Sequence, residues 1–241
     1  MSIVTRRQFA AMLALAAGAP VAAQARALRV LFIGNSYTYY NDLPGMVASI
    51  ARSLPGQQVE PTMIATGGMT LQWHYAARKA AAAIDAGGWD VVILQEQSNL
   101  GGGSENGQSR LSPPTIFHES VRKFVPHIRA AGARPLLFMT WARRSRPTEQ
   151  AFLTEAYRTI GSQLGVPVSR VGLAWQAAQR QWPELDLFVA DGSHPSPLGS
   201  YLTACVLYAS LTGRDPRGAA PTNGIASDAA TRLQAVAADS V

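Results

Sequence analysis

The segment at residues 90–95, DVVILQ, constrains the fold more than any other part of this chain. Its apolar centre is unbroken, so a strand made from it needs cover on both faces. That is the situation of an interior strand in a parallel sheet with helices on either side. Apolar runs predict further strands at 28–33, 59–66, 134–140 and 166–171, the second weakened by Pro61. Helical patterns fall at 46–54, 71–86, 115–131, 148–164, 173–180, 195–211 and 225–238, with Pro126 expected to kink the third. Strands that alternate with helices of this length predict an α/β class, a three-layer α/β/α sandwich on a mostly parallel sheet. Ligands in such sheets bind at the carboxyl ends of the strands.

Residues 1–25, MSIVTRRQFAAMLALAAGAPVAAQA, have the layout of an export signal: a basic start, a short apolar run and small residues before Ala25. TRRQFA resembles the bacterial twin-arginine signal, which implies a transient encounter with export machinery and a periplasmic or secreted protein. The expected division is a signal at 1–25 and one folded domain at 26–241. The apolar run is too short and too rich in Ala and Gly to predict a stable membrane span after the signal is removed. Of the net charge of +6, Arg6 and Arg7 supply two units, and the remainder is scattered. No basic stripe with interleaved aromatics suggests nucleic acid. The single cysteine, Cys205, sits in an apolar helical run and reads as a buried side chain.

Four segments carry residues suited to chemistry. GNSYTYYND (34–42) follows the first strand directly, which puts Ser36 at that strand's carboxyl end. A serine hydroxyl there suits a nucleophile if a base takes its proton, and suits a helix cap or turn if none does. DGSHPS (191–196) spaces Asp191 and His194 three residues apart. One imidazole nitrogen could then bond the carboxylate while the other faces a serine, and Pro195 fits the first turn of the next helix. An Asp–His metal site lacks further ligands of suitable spacing, so neither a metal nor a cofactor is expected. His74, His118 and His127 read as ordinary helix residues. In ATGGMTL (65–71), glycine N–H groups could meet an oxyanion. In ILQEQSN (93–99), the amides of Gln95, Gln97 and Asn99 could do the same, while Glu96 is expected to point elsewhere or to form a salt bridge.

Taken in this order, the four segments resemble the SGNH, or GDSL-like, hydrolase family. Ser36 falls on that family's first-block nucleophile, Gly68 on the second-block glycine, and Asp191 and His194 on the D-x-x-H of the last block. The chain departs from the pattern in reading GNS for GDS, and LQEQSN where the third block ends G-x-N-D. Gln97 or Asn99 then stands for the block's asparagine, with Gln97 favoured. The resemblance implies a flavodoxin-like fold, a Ser36–His194–Asp191 relay that works through an acyl-enzyme, and an oxyanion hole built from the Ser36 and Gly68 N–H groups and one amide side chain.

The implied substrate is a small-molecule or glycan ester, with a carbohydrate or short-chain acyl esterase, such as an acetylesterase, as the leading expectation. Thioesterase, lysophospholipase and aryl esterase activities would use the same residues, and a carbohydrate-binding module without turnover is the alternative outside enzymes. Tyr37, Trp73 and Trp141 are candidates to stack on a sugar ring. Arg110, Arg143, Arg144 and Arg146 could favour acidic substrates or form a solvated basic face. The segment 97–114 reads as a long loop.

Overall fold

The computed structural model describes residues 26–102, 104–105, 108–222 and 224–241; the expected export signal at 1–25 lies outside them. Among the described residues, five parallel strands form the main sheet: β1 (Leu28–Gly34), β2 (Val59–Ala65), β3 (Val91–Leu94), β4 (Arg134–Phe138) and β5 (Val168–Ser169). Their spatial order is β2–β1–β3–β4–β5. The chain moves from β1 outward to β2, then crosses back to β3 on the other side of β1. This reversal makes the carboxyl end of the β1/β3 pair the switch point where such folds bind ligands.

The strands are apolar because the sheet is covered on both faces. Val30 and Phe32 of β1, Val91 and Ile93 of β3, and Leu136 and Phe138 of β4 enter one core. There they meet α2 (Leu43–Ser53), α7 (Val171–Gln181), α8 (Pro197–Thr212) and α9 (Ser227–Asp239). The intervening Leu31, Ile33, Val92, Leu94 and Leu137 enter a second core, against α3 (Leu71–Ala76), α4 (Lys79–Asp85), α5 (Thr115–Ala130) and α6 (Gln150–Leu164). The period of two along each strand thus divides one apolar run between two cores. Helix α8 is buried along most of its length, packed on α2, α7 and α9, which explains its lack of a polar face. Cys205 lies within it, fully buried, and burial raises its thiol far above the ordinary range.

The structure corrects several expected boundaries. Residues 71–86 form two helices, broken at Arg78, which adopts φ +63°. A single straight helix at 100° per residue would turn Leu71 and His74 well away from the face of Ala80 and Ile84, and all four are buried. The break lets both sets face the protein. Pro61 is tolerated because β2 is an edge strand, paired only with β1. The last strand shrinks to Val168–Ser169 because α7 starts at Val171. Helix α8 begins at Pro197, with Ser196 as its cap, so Pro195 lies before the helix and bridges Phe188 instead. Pro126 is accommodated inside α5. Within the 97–114 segment, Ser104–Glu105 pairs antiparallel with Gln108–Ser109.

Candidate active site

Ser36 opens a one-turn helix, α1 (Ser36–Tyr39), immediately beyond β1. Asn35 caps it, its side-chain oxygen accepting from the Tyr37 N–H at 3.1 Å. Two buried side chains, Gln95 and His74, fix this turn from outside. Gln95, at the end of β3, accepts from the Asn35 N–H at 2.9 Å and the Thr38 hydroxyl at 2.7 Å. Its amide N–H₂ donates back to the Asn35 side-chain oxygen at 3.1 Å. Asn35 in turn donates to the Met69 carbonyl at 3.0 Å, which ties the nucleophile turn to the Gly68 loop. A carboxylate could not make that last bond, which is a local reason for asparagine in GNS. A Cβ on Gly34 would sit 2.3 Å from Thr38 Oγ1 and 2.4 Å from Gln95 Oε1, so the close approach of Gln95 requires glycine there.

His74 is the second of these side chains. It is buried under the turn, and its Nε2 bonds the Gly34 carbonyl at 2.7 Å. Burial lowers its pKa despite that bond, so the neutral ring donates its proton to the carbonyl. The expectation of an ordinary helix residue is corrected: α3 carries His74 inward to support the β1–α1 corner.

The segment 191–194 is a surface turn. His194 Nε2 lies 2.8 Å from Ser36 Oγ, and His194 Nδ1 lies 2.5 Å from Asp191 Oδ2. The other carboxylate oxygen, Oδ1, accepts from the Ser193 N–H at 2.8 Å and the His194 N–H at 2.9 Å. Partial burial raises the Asp191 pKa, but these bonds outweigh it and hold the carboxyl below its ordinary value. An ionised Asp191 only accepts, so Nδ1 carries the proton and Nε2 of the neutral ring is left to accept from Ser36.

Beneath this turn lies an aromatic stack. Tyr37, Trp141 and Trp175 are parallel within 2°, with centroids 4.5 and 3.8 Å apart. The Tyr37 hydroxyl bonds Ser193 Oγ at 2.7 Å, and the Trp141 indole N–H donates to the Ser193 carbonyl at 3.0 Å. Tyr40 stacks on the His194 ring at 4.4 Å. These contacts correct the expected substrate-stacking set. Trp141 is fully buried and supports the turn, and the Tyr37 ring is covered by Trp141. Trp73 is exposed on α3 and does not line the cleft at Ser36.

That cleft has a volume of about 200 Å³ and is lined by Asn35, Ser36, Tyr37, Gly68, Gln97, Ser98, Arg143, Ser193 and His194. Gly68 has φ +71°, and a Cβ there would meet nothing within 4 Å, so its glycine serves backbone conformation and open access. Among the described residues, neither the Ser36 nor the Gly68 N–H has a hydrogen-bond partner within the chain. Of the two candidate amides, Gln97 lines the cleft and accepts from the Asn99 N–H at 2.7 Å through its oxygen, which leaves its N–H₂ for a ligand. Asn99 instead donates to the Gly102 carbonyl at 2.5 Å, inside its own loop.

Glu96 forms no salt bridge among the described residues, contrary to one of the two expectations for it. It is fully buried and points away from the cleft lining, accepting from the Leu71 N–H at 3.2 Å and the Gln97 N–H at 2.6 Å. It therefore joins the loop that carries Gly68 to the loop that carries Gln97. Burial pushes its pKa up to about 7, against the opposing effect of the two N–H groups. Among the described residues, no group of three or more His, Cys, Asp or Glu side chains is arranged to hold a metal ion.

No family model matches the chain, and no curated protein matches it. Solved structures do. A candidate SGNH hydrolase from Slackia heliotrinireducens is 28% identical, with a TM-score of 0.64 over 77% of this chain and 100% of that one. A lipase/acylhydrolase from Enterococcus faecalis is 18% identical, with a TM-score of 0.61 over 82% of this chain and 100% of its own. An acetylxylan esterase from Geobacillus stearothermophilus, at 13% identity, has a TM-score of 0.57 over 75% of this chain and 92% of its own. The last two likenesses speak to the fold.

Proposed function

We propose that the chain is an SGNH-type serine hydrolase acting on ester bonds, as its likeness to a candidate SGNH hydrolase supports, and that it is a short-acyl esterase with acetylated carbohydrates as its leading substrate class. The observation that carries the reading is the continuous relay Ser36 Oγ–His194 Nε2, His194 Nδ1–Asp191 Oδ2, at 2.8 and 2.5 Å, beside a small cleft.

In this mechanism Ser36 Oγ attacks the ester carbonyl while His194 Nε2 takes its proton. Asp191 stabilises the imidazolium that forms. The tetrahedral oxyanion is held by the Ser36 and Gly68 N–H groups and the Gln97 amide. Removal of one such donor costs about 3 to 4 kcal/mol of transition-state stabilisation. His194 then protonates the leaving alcohol, and the acyl group stays on Ser36. Water then attacks the acyl carbonyl as His194 takes its proton; the bond to Ser36 Oγ breaks, His194 returns the proton to Oγ, and the acid departs.

The cleft's modest volume supports a short acyl group over a long chain. Likeness of fold to an acetylxylan esterase is compatible with a sugar alcohol component and supports no finer assignment. The signal-like segment at 1–25 supports action in the periplasm or outside the cell on ester-bearing glycans or their fragments. The test is a panel of acetylated mono- and oligosaccharides with acetyl, butyryl and octanoyl aryl esters. The expected result is hydrolysis that falls with acyl length and vanishes in Ser36→Ala. Undiminished hydrolysis by Ser36→Ala would remove the assigned nucleophile. A preference for octanoyl esters or thioesters would move the substrate class.

A further inference from the structure

We propose that Arg143 is an anion anchor in the cleft, so that the preferred esters carry a carboxylate or comparable anionic group near the scissile bond. This rests on the ester-hydrolase reading and narrows its substrate.

The four arginines that the sequence leaves as one possible basic face separate in the structure. Arg144 pairs with Asp186 at 2.6 Å and lies over the Phe188 ring at 5.2 Å. Arg146 pairs with Glu149 at 3.2 Å. Arg110 is exposed and does not line the cleft. Arg143 alone of the four lines it, together with Ser36, Gly68, Gln97 and His194.

Arg143 is half-buried, and among the described residues no carboxylate pairs with it. Its one side-chain bond there goes to a neutral hydroxyl, Ser98 Oγ, at 3.2 Å. A guanidinium carries five N–H donors in a rigid fork, so among the described residues most of this capacity is unused by the protein. No Asp or Glu lines the cleft to neutralise the charge. A contact to one serine hydroxyl needs no cation. A planar, permanently charged fork beside the reacting serine suits bidentate binding of a carboxylate.

The backbone presents this side chain rigidly. The Ala142 N–H donates to Gln150 Oε1 at 2.8 Å, and the Arg144 N–H donates to the Gly192 carbonyl at 2.9 Å. The second bond also joins the Arg143 segment to the turn that carries His194. Anchor and base therefore share one support, which fixes the distance between a bound anion and the scissile carbonyl.

Two matched pairs of esters test the proposal and locate the anion. Mono-4-nitrophenyl succinate against 4-nitrophenyl acetate places it on the acyl side. O-acetylated glucuronate against O-acetylated glucose places it on the alcohol side. The wild type is expected to prefer the anionic member of at least one pair, and the preference should fall as salt rises. Arg143→Gln should raise KM for that member by about 10- to 100-fold, the range for a lost bond to a charged group. The neutral member should change by less than about threefold. Arg143→Lys, which keeps the charge without the fork, should fall between, and it replaces Arg143→Gln if the latter fails to fold.

Absence of an anionic preference in both pairs overturns the anchor while hydrolysis stands. An equal loss on neutral and anionic esters also overturns it, since Arg143 would then serve the oxyanion of every substrate. Absence of any Ser36-dependent hydrolysis overturns the esterase reading, and the anchor with it.

Discussion

The two halves of the site are held by opposite means. The nucleophile turn at 34–38 lies at the centre of the sheet and is fixed by buried polar bonds from Gln95, Asn35 and His74. The turn at 191–194 lies at the surface, where Asp191 is about half exposed, and rests on the Tyr37–Trp141–Trp175 stack. In the first half, a lost partner strands a buried donor or acceptor. In the second, it removes packing or a single bond. Tyr37 belongs to both: its N–H closes the Asn35 cap, and its hydroxyl reaches Ser193. The site is therefore assembled by joining a rigid corner to a supported flap.

The largest expected effect lies on the exposed half. Asp191→Asn should reduce kcat/KM by about 10⁴-fold with little change in melting, because it offers the wrong hydrogen-bond partner to His194 Nδ1. Steady-state kinetics beside a thermal melt checks both. A loss under tenfold would mean that Asp191 does not set the imidazole tautomer. Next comes the stack. Trp141→Ala should destabilise the fold by about 3 to 5 kcal/mol in chemical denaturation, through lost area and a cavity between two rings. A cost under about 1 kcal/mol would contradict the stack as the flap's support.

Glu96 tests the polar half through pH. Its folded pKa, about 7, lies above the ordinary 4.5, so the folded state binds more protons between those values. The stability this group contributes is full below about pH 4.5, falls as pH rises to about 7, and is then level. Glu96→Gln removes that slope. The stability difference between variant and wild type should shift by about 3 kcal/mol across the window. Parallel profiles would mean that Glu96 titrates normally. The smallest effect belongs to the shared residue. Tyr37→Phe should cost about 1 kcal/mol for the single bond to Ser193, with kcat lowered more than KM raised. A change in KM alone would place Tyr37 in substrate binding instead.

What the sequence disclosed follows the same division. The strand–helix alternation and the DVVILQ run make the layered fold legible, because burial on both faces writes itself as unbroken apolar residues. Ser36, Gly68, Asp191 and His194 stand out by motif and spacing. The supports do not. Gln95, Glu96 and His74 are polar residues whose partners lie 25 to 60 residues away, and no local pattern reports such bonds. Trp141 looked like a sugar platform because an aromatic after a strand end reads the same whether its faces meet solvent or other rings. The break at Arg78 was hidden for a related reason: it is driven by which residues must face the core, with no Gly or Pro to mark it. The expected start of α8 at Pro195 failed by two residues because Ser196 is the better cap and Pro197 fits the first turn equally well.

The central claim is that Ser36 carries the acyl group. Intact-protein mass measurement after rapid acid quench of an acetyl aryl ester reaction tests it directly. The account predicts one acetyl adduct per chain, mapped by peptide fragmentation to Ser36 and absent from Ser36→Ala. Turnover with an adduct at another residue, or an equal adduct on Ser36→Ala, would contradict it.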